Sequence, residues 1–118
     1  MRAELKRLHS PDTFDLAHFV PEDPTSFAIL LQAMIGPAGE AGEESFSIQV
    51  CTPRWLEQNL PRDEVLVARH MLLTHEYDLE KIVAAITKFL STCTGASWQE
   101  IGEKVSRLGH WEFEDYRE

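Results

Sequence analysis

The residues able to do covalent chemistry are few, and their spacing assembles no catalytic motif. His75 beside Glu76, with Cys51 as a thiol nucleophile, is the one combination that would supply the parts of a small hydrolase. Cys51 directly precedes Thr52-Pro53, a helix start whose dipole would lower a thiol pKa. No neighbour in sequence supplies a base, however, so a buried cysteine at the end of a strand is the preferred reading. His70 and His75 lie five apart in a segment read as a strand. That spacing sends them to opposite faces, where they share neither a metal nor a substrate, and satisfied or exposed imidazoles account for both. Ser10, Ser26 and Ser91 stand in no nucleophile elbow. Cys51 and Cys93 form neither a CxxC pair nor a disulfide framework and are expected to be reduced thiols. No cofactor or metal is expected, and the hydrolase using His75, Glu76 and Cys51 stands as the alternative to a binding function.

The glycines of the 36–44 segment, Gly36, Gly39 and Gly42, are spaced like a phosphate cradle, but Glu40, Glu43 and Glu44 would repel the ligand and no Lys follows. A solvated hairpin tip is the simpler reading. The same carboxylates lack the regular oxygen spacing of a calcium loop.

The distribution of charge carries more information than any single residue. Twenty Asp and Glu against eleven Lys and Arg give −9, a poor surface for phosphate backbones or anionic lipids, so direct binding of nucleic acid or membrane is not expected. Between Arg7 and Arg54 there is no Lys or Arg, whereas Asp12, Asp15, Glu22, Asp23, Glu40, Glu43 and Glu44 all fall in that stretch. Such a run is either a solvated acidic face or a surface shaped to meet a basic protein, where complementarity acts mainly on association rate and selectivity. Trp111 and Tyr116 in the aromatic-acid tail would supply apolar anchors for that interface, or else join the core.

The elements that must position these groups can be read from periodicity. Residues 2–9 read as an edge strand, with Lys6 and Arg7 suited to an edge, and Ser10-Pro11-Asp12 opens a short helical turn over 13–19. The nearly continuous apolar run at 27–35, closed by Gly36-Pro37, reads as a central strand covered on both faces. Strict alternation at 45–51 places Phe46, Ile48 and Val50 on one face, and the two strands should form an antiparallel hairpin with a long tip. Thr52-Pro53 starts a short helix that stops before Pro61, and residues 64–77 read as another long strand.

Asp78 should cap a helix whose apolar stripe runs from Leu79 through Ile82, Ile86 and Leu90 to Cys93. Ser97 to Glu100 is a capping box for a last helix closed by Gly109, and the tail from Trp111 reads as a short strand or an ordered extension. With 118 residues, no repeat and no linker, one domain over 1–118 is expected. Its class is α+β: a two-layer sandwich of an antiparallel sheet with helices packed on one face. The amino terminus lacks the apolar stretch of a signal peptide and the 27–35 run is too short to span a bilayer, so a cytoplasmic location is expected.

The blocks AELKRLHSPD, FVPEDP, FAILLQAMIGPAGEAGEESF, VCTPRWL and WEFEDY, with the RH and EYD of residues 69–78, together resemble the immunity protein 8 family of bacterial polymorphic toxin systems over nearly the whole chain. The resemblance implies a small cytoplasmic inhibitor, encoded beside a delivered toxin, that binds and blocks that toxin to protect the producing cell. Such toxins are frequently nucleases, whose basic surfaces would suit the acidity of this chain. The resemblance carries over no catalytic residue. The toxin-binding candidates are therefore the carboxylates of the acidic stretch with Trp111 and Tyr116. Ala38, Ala41 and Gln99 depart from the family pattern at positions where specificity for a particular toxin would vary.

Overall fold

The computed structural model describes residues 1–112, and everything below refers to those residues. Five strands and three helices follow in the order β1 (Ala3–His9), β2 (Ala28–Pro37), β3 (Glu44–Cys51), α1 (Pro53–Asn59), β4 (Met71–Leu73), α2 (Leu79–Leu90), α3 (Trp98–Val105) and β5 (His110–Trp111), with a 3-10 turn at Leu16–His18 between β1 and β2. The sheet runs β1-β2-β3-β4, and β5 also pairs with β3. All pairings are antiparallel except β3 with β4, which follow the α1 crossover and run parallel. The α+β two-layer arrangement expected from the sequence is the one observed.

The core lies between one face of this sheet and α2 with α3. Ile29, Leu31, Ala33 and Ile35 of β2 stand opposite Val50, Ile48, Phe46 and Glu44 of β3, and the apolar members of this register are buried against Ile82, Ile86, Leu90, Ile101 and Val105. The alternate residues of β2, including Leu30, Gln32 and Met34, are only half-buried. The expectation of a strand covered on both faces is therefore corrected: helices cover one face, and the apolar run reflects local β propensity on the other. Leu5 and Leu8 of β1, an odd spacing, both join the core because the register with β2 slips between Leu5 and Arg7, and this bulge at Lys6 returns Leu8 to the inner face.

Caps follow the sequence closely. Thr52 Oγ1 accepts the Trp55 amide at the start of α1, Asp78 accepts the Lys81 amide at α2, and Ser97 accepts the Glu100 amide at α3. Glu100 does reach back, but to the amide of Ala96, one residue before the cap.

The long strand expected over 64–77 is not formed: only Met71–Leu73 pairs, and residues 61–69 are exposed throughout. The free edge of β3 is shared, with β5 taking Phe46 and Ser47 and β4 taking Gln49 to Cys51. No more of that edge is open to a longer β4. Val65 and Val67, 96% and 83% exposed, therefore stay in solvent despite their strand-like alternation.

Candidate functional site

The carboxylates of the acidic stretch divide into two groups with different surroundings. In the β2–β3 hairpin tip they are engaged by the chain itself. The tip folds against β1: Gly36 has the Gly42 carbonyl within 2.0 Å of where a Cβ would stand, and Gly42 takes a φ of 109° that favours glycine. That close crossing delivers the tip to the basic residues of β1. Arg7 places Nη2 2.6 Å and Nε 2.8 Å from Glu43 Oε1, and Lys6 Nζ donates to the Glu40 carbonyl at 2.8 Å while also lying 3.0 Å from Glu4. The hydrogen bond and the charge of Glu43 both raise the Arg7 pKa. Of this group only the Glu40 side chain is left fully exposed.

Glu44 is an internal anchor. Its Oε1 accepts the Trp98 indole N–H at 3.0 Å and its Oε2 accepts that of Trp111. Trp111 itself is 4% exposed and stacks on Phe46 at 5.7 Å, so of the two roles the sequence leaves open to it, interface anchor or core, it fills the core. Tyr116 lies outside the described residues.

The second group sits in the connection from β1 to β2. Asp12 is exposed, but its Oδ2 accepts the Leu30 amide at 2.9 Å while Ser10 Oγ donates to the Leu30 carbonyl at 2.5 Å. Together these side chains stand in for a strand beyond the end of β1. Asp15 Oδ2 lies 2.6 Å from His18 Nδ1 on an exposed turn. Asp23 Oδ1 accepts from both the amide and the hydroxyl of Thr25, and these hydrogen bonds hold its pKa below the usual carboxylate value. Glu22 is exposed beside it. Glu22 and Asp23 rim a shallow groove of about 680 Å³ whose floor and walls include Val20, Phe27, Ala28 and Trp55. Beneath the groove the Tyr77 ring meets Phe19 and Phe27 edge-on at 5.3 and 5.2 Å.

The residues of the alternative hydrolase present no reactive arrangement. Cys51 is fully buried, and desolvation pushes its thiol pKa up, the opposite of an activated nucleophile. His75 and Glu76 are exposed on the turn before α2. His70, with a left-handed φ of 62°, turns its Nε2 to the Ser106 carbonyl at 2.7 Å and its ring towards His110 at 5.7 Å. Among the described residues no group of three His, Cys, Asp or Glu is placed to hold a metal ion, and no helix is long and apolar enough to cross a membrane.

Sequence reasoning missed two features of this surface. Phe14 and Val20 are 112% and 75% exposed, and Trp55 lines the groove from α1. A signal for the first two was present, since each is an apolar residue set among Pro, Asp and Glu with no periodic partner. No curated protein and no solved structure matches this chain. The profile of immunity protein 8, by contrast, matches residues 3–116, from the first strand into the tail. Given that nearly complete match, the chain belongs to the immunity protein 8 family and is an immunity protein for a toxin.

Proposed function

We propose that this protein is a stoichiometric, non-catalytic inhibitor that occludes the working surface of a cognate bacterial toxin of a polymorphic or contact-delivered system, acting in the cytoplasm of the producing cell. The family match over residues 3–116 carries the inhibitory role. The acidic stretch from Asp12 to Glu44, free of Lys and Arg, supports a basic partner such as a nuclease, where carboxylates would stand in for substrate phosphates. A standard interface of roughly 1,600 Å² in total would suffice for tight binding.

The test is co-expression with the toxin domain encoded beside the gene. The expected result is copurification at fixed stoichiometry, cell survival, and an association rate that falls steeply from low to physiological salt. Cells that die despite soluble protein would overturn the inhibitory reading. Protection with an association rate insensitive to salt would overturn the basic, nuclease-like partner while leaving inhibition intact.

A further inference from the structure

We infer that the toxin is gripped by the β1–β2 connection and the groove it forms with α1, and not by the acidic hairpin tip. This rests on the inhibitory reading above and narrows it to one surface. The tip is the more conspicuous acidic run in sequence, but its charge is largely answered within the chain. Glu43 is paired with Arg7 and Glu44 is held by two indoles, which leaves Glu40 as the one fully exposed carboxylate of the tip.

The β1–β2 connection is different in both charge and apolar content. Asp15, Glu22 and Asp23 are exposed there, and no Lys or Arg occurs anywhere in the connection. Its basic contacts are His18, whose Nδ1 lies 2.6 Å from Asp15 Oδ2, and Arg54 of α1, whose Nη1 donates to Thr25 Oγ1 at 3.3 Å and whose charge helps to lower the Asp23 pKa; among the described residues Glu22 has neither. On this acidic ground stand Phe14 and Val20, among the most exposed large apolar side chains described. Folding gives no reason for either: burying such a side chain is worth about 1.5–3 kcal/mol, and here that gain is left unused. Val20 continues into the groove rimmed by Glu22 and Asp23 and backed by Trp55. Asp12, tied to the Leu30 amide, holds the start of the connection beside the same strand whose Ala28 lines that groove.

An apolar centre within a charged rim is the anatomy of a protein interface, with aromatic anchors at the middle and polar complementarity around them. The partner that fits is a basic protein surface presenting an apolar knob between Lys or Arg side chains, as expected of the toxin. A second copy of this chain fits poorly, since a two-fold contact would press this acidic rim against its own duplicate.

The experiment measures binding of the catalytically inactivated toxin domain from the adjacent gene to wild type and to three variants, alongside the melting temperature of each. The F14S/V20S double variant should melt like wild type, because both side chains are exposed, and lose about 30-fold or more in affinity. Glu22→Lys should slow association by about tenfold at low salt, whereas Glu40→Lys at the tip should stay within about twofold of wild type. Wild-type binding by the F14S/V20S and E22K proteins, or a loss in E40K equal to theirs, overturns this interface while leaving the inhibitory function standing. No binding by the wild type overturns the function and the interface together. Concentration-dependent dimers of the wild type that vanish in F14S/V20S would assign the surface to a second copy and also overturn the inference.

Discussion

Glu44 Oε1 accepts the indole hydrogen of Trp98 at 3.0 Å across 54 residues of sequence, tying the first residue of β3 to the first residue of α3. The other oxygen of the same carboxylate takes the indole hydrogen of Trp111, 67 residues away. A charged acceptor shared by two N–H donors at the margin of the core fixes the ends of β3, α3 and β5 relative to one another.

Removing that acceptor should destabilise the fold. Glu44→Ala leaves two indole N–H groups without a partner, and a buried unsatisfied donor costs about 1–3 kcal/mol. Trp98 is half-buried and can recover water, so a total loss of about 2–4 kcal/mol is expected, most of it from Trp111. Glu44→Gln keeps one acceptor oxygen and should lose about half as much. Urea unfolding followed by tryptophan fluorescence measures both. An alanine variant as stable as wild type would show that the carboxylate is a solvated surface group.

Gly102→Ala is expected to destabilise, against the usual preference of helices. In a helix interior alanine is favoured over glycine by about 1 kcal/mol. At this position a Cβ would stand 2.6 Å from Trp111 Cη2 and 2.8 Å from Cζ2. The indole cannot swing aside, because it is stacked on Phe46 and held at Nε1 by Glu44. Overpacking of this kind costs about 1–3 kcal/mol, so the net change should be unfavourable. A double-mutant cycle with Trp111→Phe, whose smaller ring withdraws from the clash, should show the alanine penalty shrinking. A Gly102→Ala protein that melts higher than wild type would refute this packing.

Much of the fold was legible because its signals are local. The alternation of Phe46, Ile48 and Val50, the stripe of Ile82, Ile86 and Leu90 behind Asp78, and the Ser97 cap each lie within a few residues of what they specify. The strand over 64–77 was misread for the opposite reason. Val65, Leu66 and Val67 have β propensity, yet a strand exists only where an edge is open to it, and β5 had already taken the other half of the edge of β3. The site divides in the same way. The acidic stretch is visible as charge, but nothing near Glu44 or Trp111 in sequence announces that they meet, and so Glu44 reads as surface while Trp111 stays open between interface and core.

Tyr77→Phe should be neutral or mildly stabilising. The Tyr77 hydroxyl is buried with no hydrogen-bond partner among the described residues, while the ring packs edge-on against Phe19 and Phe27. Phenylalanine retains the ring contacts and relieves an uncompensated polar group whose burial costs about 1–3 kcal/mol. A rise of up to about 1 kcal/mol by chemical denaturation is expected. A loss larger than 1 kcal/mol would mean that the hydroxyl is bonded in solution and that the 19–27 cluster is arranged differently.

Stability should fall as the pH rises above about 9, through Cys51 and Cys93. Both thiols are buried, and desolvation is the first cause raising each above its ordinary value of 9.0. Below that value the thiols are protonated in folded and unfolded chains alike, so neither contributes a slope. Above it the unfolded chain releases protons that the folded chain still holds, and folding stability drops by at most about 1.4 kcal/mol per pH unit for each thiol until the folded pKa is passed. Denaturant midpoints from pH 7 to 10.5 measure the slope. Replacing both cysteines by alanine should flatten it from pH 9 upwards, whatever the cavity cost at neutral pH, with Tyr77, also raised by burial, left to act from about pH 10. A slope unchanged in the double variant would show that the two thiols do not carry the alkaline loss.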